Sequence, residues 1–410
     1  DIFMELNQNN KPNQKYLGTL GFIIFIGFLS AFVPLSTDLY LPALPKMVNT
    51  FHTSEGILNL TITFFFIFYA LGMLFWGPLS DKFGRKKILI IGMIIYCVGS
   101  LLCANANNIP LLICFRVIQA IGSGSAVSVA TAMMKDVYTG KKLVSMLAIV
   151  QSIAMTSPVV SPVIGAFILT FTSWKGIFWI LTIVSFISII GSLLLQETLK
   201  NYNTGSLLKV LDNIRVVAKN PGFAVLLFTF AITTLPLMAY ITTSSYIYID
   251  GFKLSDQVYS YFYACTAIFL IIGPMAYVRL AKHFTSKKII LFDFVVMILS
   301  GIALILIGPS SPIAFALCLI PAMACGNMLR PPSTHLILAQ QDTNIGSASS
   351  LISFGNTIMG CIGMIIITFN VGNKIVAIGF LYTLIALIAL TFWIIFNKKP
   401  FIVQVQEHNH

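Results

Sequence analysis

Long apolar runs broken by short polar stretches make up almost the whole chain, and each has about the length that crosses a bilayer, roughly 20 residues of helix. Twelve runs are predicted as membrane-spanning helices: 17–43, 54–78, 87–105, 109–134, 142–170 and 175–195, then 221–247, 255–280, 287–308, 311–337, 343–370 and 374–396. What remains is a polar segment 1–16, a linker 196–220 and a tail 397–410. The pattern predicts an all-α membrane protein with twelve transmembrane helices in two six-helix halves, 17–195 and 221–396. The first run is too long for the apolar region of a signal peptide, so no cleavable leader is expected.

Two of the polar stretches repeat. Gly77–Leu89 reads as a charge-dense loop after the second run, with Gly84 suited to a tight turn and Asp81 within reach of Lys82, Arg85, Lys86 and Lys87. Leu280–Ile290 lines up with Leu79–Leu89 and also follows the second run of its half, with Lys282 replacing the acid and Thr285 the glycine. The copy predicts pseudo-symmetric halves with a central site between them. In the linker, Leu207, Leu208, Val210, Leu211, Ile214 and Val217 alternate with Lys209, Asp212, Arg215 and Lys219 at near-helical spacing. This is either an amphipathic helix lying on the inner membrane surface or a tie between the halves.

Composition narrows the class. With 57% hydrophobic and 9% charged residues, against about 25% charged in a soluble domain, the chain has no soluble part long enough to house an enzyme. The net charge of +12 does not point to nucleic acid, because the bases sit in short loops and form no basic face. Of the 25 Lys and Arg, all but six fall on one side of the predicted membrane; Lys46, Lys175, Lys253 and Lys374 lie opposite, and Arg116 and Arg330 lie within apolar runs. Positive charge gathers on the cytoplasmic side, so both termini are expected there, in an inner membrane. The seven cysteines and five histidines show no ligand spacing, so neither a metal nor a cofactor is expected.

Charge inside the hydrocarbon region is costly, which makes each such residue a functional candidate. Asp38 lies in Ser36-Thr-Asp-Leu-Tyr-Leu-Pro-Ala-Leu-Pro45, where Pro42 and Pro45 end or bend the first helix. In a poorly solvated cleft its carboxyl can take up and release protons at physiological pH; at the outer water interface it would merely be solvated or cap a helix. Arg116, in Leu112-Ile-Cys-Phe-Arg-Val-Ile-Gln-Ala-Ile-Gly-Ser-Gly124, stays charged and shares a helix face with Gln119. It either couples to a nearby acid or forms a structural clamp. Pro158 and Pro162, followed by Gly165, bend the fifth run, as a gate or as a static kink. Arg330, before Pro331 and Pro332, either faces a cavity and attracts an anionic substrate or snorkels to the inner surface. Asp293 is expected to pair with Lys287 or Lys288 at the interface. Tyr40, Gln119, Met238, Tyr240, Tyr246, Tyr261 and Asn356 are candidates, with Arg330, to line a substrate cavity.

The order Gly77-Pro-Leu-Ser-Asp-Lys-Phe-Gly-Arg-Lys-Lys87 resembles the signature loop between helices 2 and 3 of the major facilitator superfamily. Ser36–Pro45, Arg116–Gly124 and Pro162-Val-Ile-Gly165 resemble the helix 1, helix 4 and helix 5 motifs of Bcr/CflA-type drug:proton antiporters. Ala120 and Ala166 stand where those motifs commonly carry glycine, and Ser30 where some related exporters carry a second acid. The resemblance implies a twelve-helix fold and proton-driven, alternating-access export of small amphipathic compounds (multidrug efflux). It makes Asp38 a proton or substrate acid, Arg116 a coupling residue, and Gly77, Asp81, Gly84 and Arg85 parts of an inner gate latch. A dedicated exporter of one metabolite, such as a siderophore or amino-acid derivative, is the alternative on the same fold. Expected partners are a small-molecule substrate, protons and the lipid bilayer, with a monomer as the working unit.

Overall fold

In a computed structural model, residues 14–200, 202, 207–341, 345–369 and 372–403 are described. Most of the segment 1–16, residues 203–206 of the linker and the end of the tail, with His408 and His410, lie outside the described residues. Helix α1 is a bent pair, Gly18–Ser30 and Phe32–Thr50, at 43° to one another. α2 is Glu55–Phe83, α3 Arg85–Ala104, α4 Ile109–Val137, α5 Gly140–Ile168 and α6 Trp174–Leu194. After a linker helix α7, Leu207–Ala218, come α8 Pro221–Gly251, α9 Asp256–Leu280, α10 Ser286–Leu306 and α11 Pro312–Leu338. α12 Ile345–Thr368 and α13 Lys374–Phe396 complete the chain, and no strand occurs among the described residues.

The polar breaks supply the helix starts. Asn108 Oδ1 accepts from Leu111 N at 2.9 Å, Asn220 Oδ1 from Gly222 N at 2.9 Å and Asn373 Oδ1 from Ile375 N at 2.9 Å. Each satisfies backbone N–H groups that the first helical turn leaves over. Pro110 and Pro221 follow two of these caps, where a missing N–H costs nothing. Interior breaks have the opposite origin. Pro34 and Pro236 remove backbone donors just after the breaks at Ala31 in α1 and at Ile232–Thr233 in α8, the first span of each half.

The stretch read as a loop at Gly77–Leu89 is almost entirely helical: α2 runs through Asp81 and Lys82 to Phe83, and only Gly84 intervenes before α3. Gly84 has φ of 99°, a conformation that an L side chain rarely adopts. The polarity of Ser80-Asp-Lys82 marks where the helix leaves the bilayer, and the sequence reading took that for its end.

The chain divides into two compact units. One comprises Asp1–Tyr40 and Phe68–Leu207, the other Leu41–Ile67 and Leu208–His410. In the first, α3 and α4 approach backbone to backbone: a Cβ on Gly122 would lie 2.4 Å from Tyr96 N, and one on Gly99 2.5 Å from Gln119 N. In the second unit α10 and α13 do the same, with a Cβ on Gly301 falling 2.7 Å from Gly379 O. Residues 41–67 belong to the first half in sequence but pack within the second unit, where Lys46 pairs with Asp256 and Lys374 Nζ lies 2.6 Å from Glu55 Oε2. Tyr246 OH donates to Asn59 Oδ1 in the same region at 3.2 Å.

Candidate functional site

In the first unit the polar side chains gather on the turn of α1 that carries Asp38. Ser36, Thr37, Asp38 and Tyr40 are all buried, and Thr37 Oγ1 donates to Asp38 Oδ1 at 3.3 Å. Arg116 reaches this turn from α4. Its Nη1 donates to Ser36 O at 3.1 Å and to Gln119 Oε1 at 2.6 Å, and its guanidinium lies 5.3 Å from the Tyr40 ring and 5.7 Å from Phe178. Ser36 and Tyr40 flank Asp38 by two residues on either side, so a permanent cation is fixed against the turn that holds the acid. A fully buried guanidinium needs acceptors and ring faces to replace its hydration, and these supply both. The bonds continue outward: Gln119 Nε2 donates to Ser100 Oγ at 2.8 Å, and Ser36 Oγ shares a hydrogen bond with the Tyr96 hydroxyl.

α5 meets the same turn from another side. A Cβ on Gly165 would stand 2.2 Å from Leu39 O, so only glycine admits the backbone next to Asp38 at this distance. Ser157 Oγ donates to Ala31 O, at the break of α1, at 3.5 Å. Pro158 and Pro162 lie inside α5 between these two contacts. Three separated motifs thus converge on residues 31–40.

A second polar cluster forms at the α2–α3 corner. Arg85 is buried, pairs with Asp81 Oδ1 at 2.5 Å and with Asp136 Oδ2 at 2.9 Å, and donates to Ser80 Oγ at 2.6 Å. Glu197, just beyond α6, accepts from Arg85 N at 3.0 Å and Lys86 N at 3.1 Å, which places a carboxylate on the positive end of α3. Thr198 Oγ1 donates to Asp136 Oδ2 at 3.0 Å. Asp136 and Glu197 escaped the sequence reading, because their shared partner lies 51 and 112 residues away. The available signal was that both are acids at helix ends on the side where bases prevail.

The second unit contains a cavity of about 190 Å³ between α8, α11, α12 and α13. Its wall includes Arg330, Asn327, Asn356, Thr233, Ser353 and Tyr382, with Phe230, Leu237 and Met323 as apolar surface. Arg330 opens the second segment of α11, after a break at Leu329, and its side chain is exposed to the cavity.

The family model described as Major Facilitator Superfamily matches residues 23–364. This chain belongs to the Major Facilitator Superfamily. It is a multi-pass membrane transporter and not an enzyme. An uncharacterised MFS-type transporter of Bacillus subtilis is 26% identical over 363 residues, covering 86% of this chain and 89% of that protein. A bicyclomycin resistance protein homologue of Haemophilus influenzae is 26% identical over 298 residues, covering 70% of this chain and 73% of that one. Among solved structures, a point mutant of the nucleoside transporter NupG superposes with a TM-score of 0.75 at 14% identity, covering 92% of this chain and 99% of that chain. The helices and these likenesses establish the superfamily fold; among the described residues eleven helices are long and apolar enough to cross a membrane, or twelve with the bent α1 counted as one span.

Within the superfamily fold, the residues expected to line a cavity separate into groups. Arg330 and Asn356 do line one. Gln119 and Tyr40 are fully buried around Arg116 instead, because its charge claims their polar atom and ring face. Tyr240 is buried, stacked on Tyr263 and bonded to Thr266 Oγ1 at 3.0 Å, whereas Tyr246, held by Asn59, lines a separate pocket of the second unit with Asp250 and Lys374. Met238 packs over Gly360, where a Cβ would lie 2.6 Å from its Cγ, and Tyr261 is 59% exposed on α9. Gly77 sits inside α2 with open space around its Cα, and its carbonyl oxygen accepts from Ser80 Oγ at 2.7 Å, the same hydroxyl to which Arg85 Nη1 donates. Asp293 pairs with neither Lys287 nor Lys288: it is fully buried in α10, beside Cys325 of α11. It lies about two turns into the helix, beyond the interface where those lysines end.

Proposed function

We propose that this transporter is a proton-coupled antiporter that exports small amphipathic compounds across the bacterial inner membrane, with both termini in the cytoplasm. The carrying observation is the buried Asp38 on a turn held by Arg116 from α4 and crossed closely by Gly165 of α5. A buried carboxyl changes its preferred surroundings when it gains or loses a proton. Taking a proton from outside neutralises Asp38; releasing it inside restores the pair of opposite charges. Each state favours a different packing of the α1 turn, which couples proton passage to alternating access. The Haemophilus relative, named for bicyclomycin resistance, supports drug export as the direction of work. In this reading the Asp81–Arg85–Asp136 cluster is the inner latch, stabilising the state closed on the cytoplasmic side.

The test is transport into inside-out proteoliposomes driven by an imposed pH gradient, with a panel of chemically unrelated drugs. The wild-type protein should carry several of them, and Asp38→Asn, still folded, should carry none above the liposome background. Full transport by Asp38→Asn would remove Asp38 from the mechanism, and response to a single compound would sink the multidrug reading.

A further inference from the structure

Arg330 is the one charged side chain among the described residues that line the cavity between α8, α11, α12 and α13, and no carboxylate stands among them. A guanidinium does not discharge at any accessible pH, so a compensating charge has to come from elsewhere. Two more groups in the same wall stand unmet. Tyr382 is 1% exposed with an unpartnered hydroxyl, and Asn327, 3% exposed, donates to Leu270 O at 2.9 Å while its Oδ1 accepts nothing. Buried polar groups normally find partners, so a cation, an O–H donor and a carbonyl acceptor around one cavity match the polar groups of a single small ligand. The volume of about 190 Å³ is below the roughly 300–1,000 Å³ of a drug-sized site, which suits the end of a molecule.

We propose that this cavity binds the carboxylate end of a small amphipathic acid. The carboxylate meets Arg330 and the Tyr382 hydroxyl, an adjacent N–H or O–H of the ligand donates to Asn327 Oδ1, and its apolar part rests on Phe230 and Met323. The inference rests on the exporter reading, since the acid bound here is the exported compound.

The probe is N-acetyl-L-phenylalanine, which carries a carboxylate, a neighbouring N–H and an apolar ring, compared with its neutral carboxamide. Binding to the purified full chain is measured by titration calorimetry without a pH gradient. The acid should bind at least about tenfold more tightly than the amide, the scale of a charge-assisted hydrogen bond. Arg330→Gln should abolish that preference, weakening the acid far more than the amide; Arg330→Lys should keep part of it. Tyr382→Phe, which removes a single oxygen and decides the matter if Arg330→Gln fails to fold, should cut the preference several-fold. Equal affinity for acid and amide in the wild type, or an unaltered preference in Tyr382→Phe and Arg330→Gln, would overturn the site. Acid-selective binding without gradient-driven transport of the acid would leave the site standing and overturn the exporter reading instead.

Discussion

At the level of single residues, Gln119 shows how a polar side chain in a membrane helix is spent. It was legible as a polar neighbour of Arg116 three residues along α4, but the spacing could not say whether it faced a ligand or the arginine. The structure gives its oxygen to Arg116 and its amide to Ser100. Gln119→Ala would leave a buried guanidinium one acceptor short, at about 1–3 kcal/mol, seen as a lower thermal-unfolding midpoint in detergent. A midpoint unchanged within error would mean that the Arg116 network carries no stability. Asp38, Arg116 and Arg330 announced themselves because charge is rare in apolar runs. Asp136, Glu197 and Tyr382 did not, because ordinary residues become notable only through long-range neighbours.

The helices themselves were the most legible part of the chain, since bilayer thickness sets their length and the polar caps mark their starts. Their ends were less so. α2 keeps its hydrogen bonds through the charged residues up to Phe83, so the loop shrinks to one glycine, and α3 is started by a carboxylate from beyond α6. Glu197→Ala should therefore cost about 0.5–2 kcal/mol, the range of a lost N-terminal cap. Hydrogen exchange at residues 85–88 should rise, while that of the middle of α3 stays slow. Uniform exchange along α3 in the variant and the wild type would deny Glu197 this role. The three motifs of α1, α4 and α5 could be named from sequence, yet their meeting at residues 31–40 depends on the close approach at Gly165, which no single helix displays.

For the whole molecule, the uneven placement of bases predicts orientation, and the repeat of Leu79–Leu89 at Leu280–Ile290 predicts the two halves. The packing of residues 41–67 within the second unit was not legible, because the pairs Lys46–Asp256 and Glu55–Lys374 join segments far apart in the chain. Single cysteines placed at Lys175 and Lys253 should react with a membrane-impermeant maleimide in intact cells, and cysteines at Lys82 and Lys282 only after the membrane is opened. The reverse labelling would invert the topology and with it the direction of export. Antiport itself makes a sharper demand on the intact protein: substrate and proton must cross in opposite directions. Proteoliposomes holding a pH-sensitive dye and a transported compound, diluted into compound-free buffer at equal pH, expose it directly. As the compound leaves, the lumen should acidify in the wild type and stay unchanged in Asp38→Asn; exit of the compound from wild-type liposomes with a constant or rising lumenal pH would contradict proton antiport.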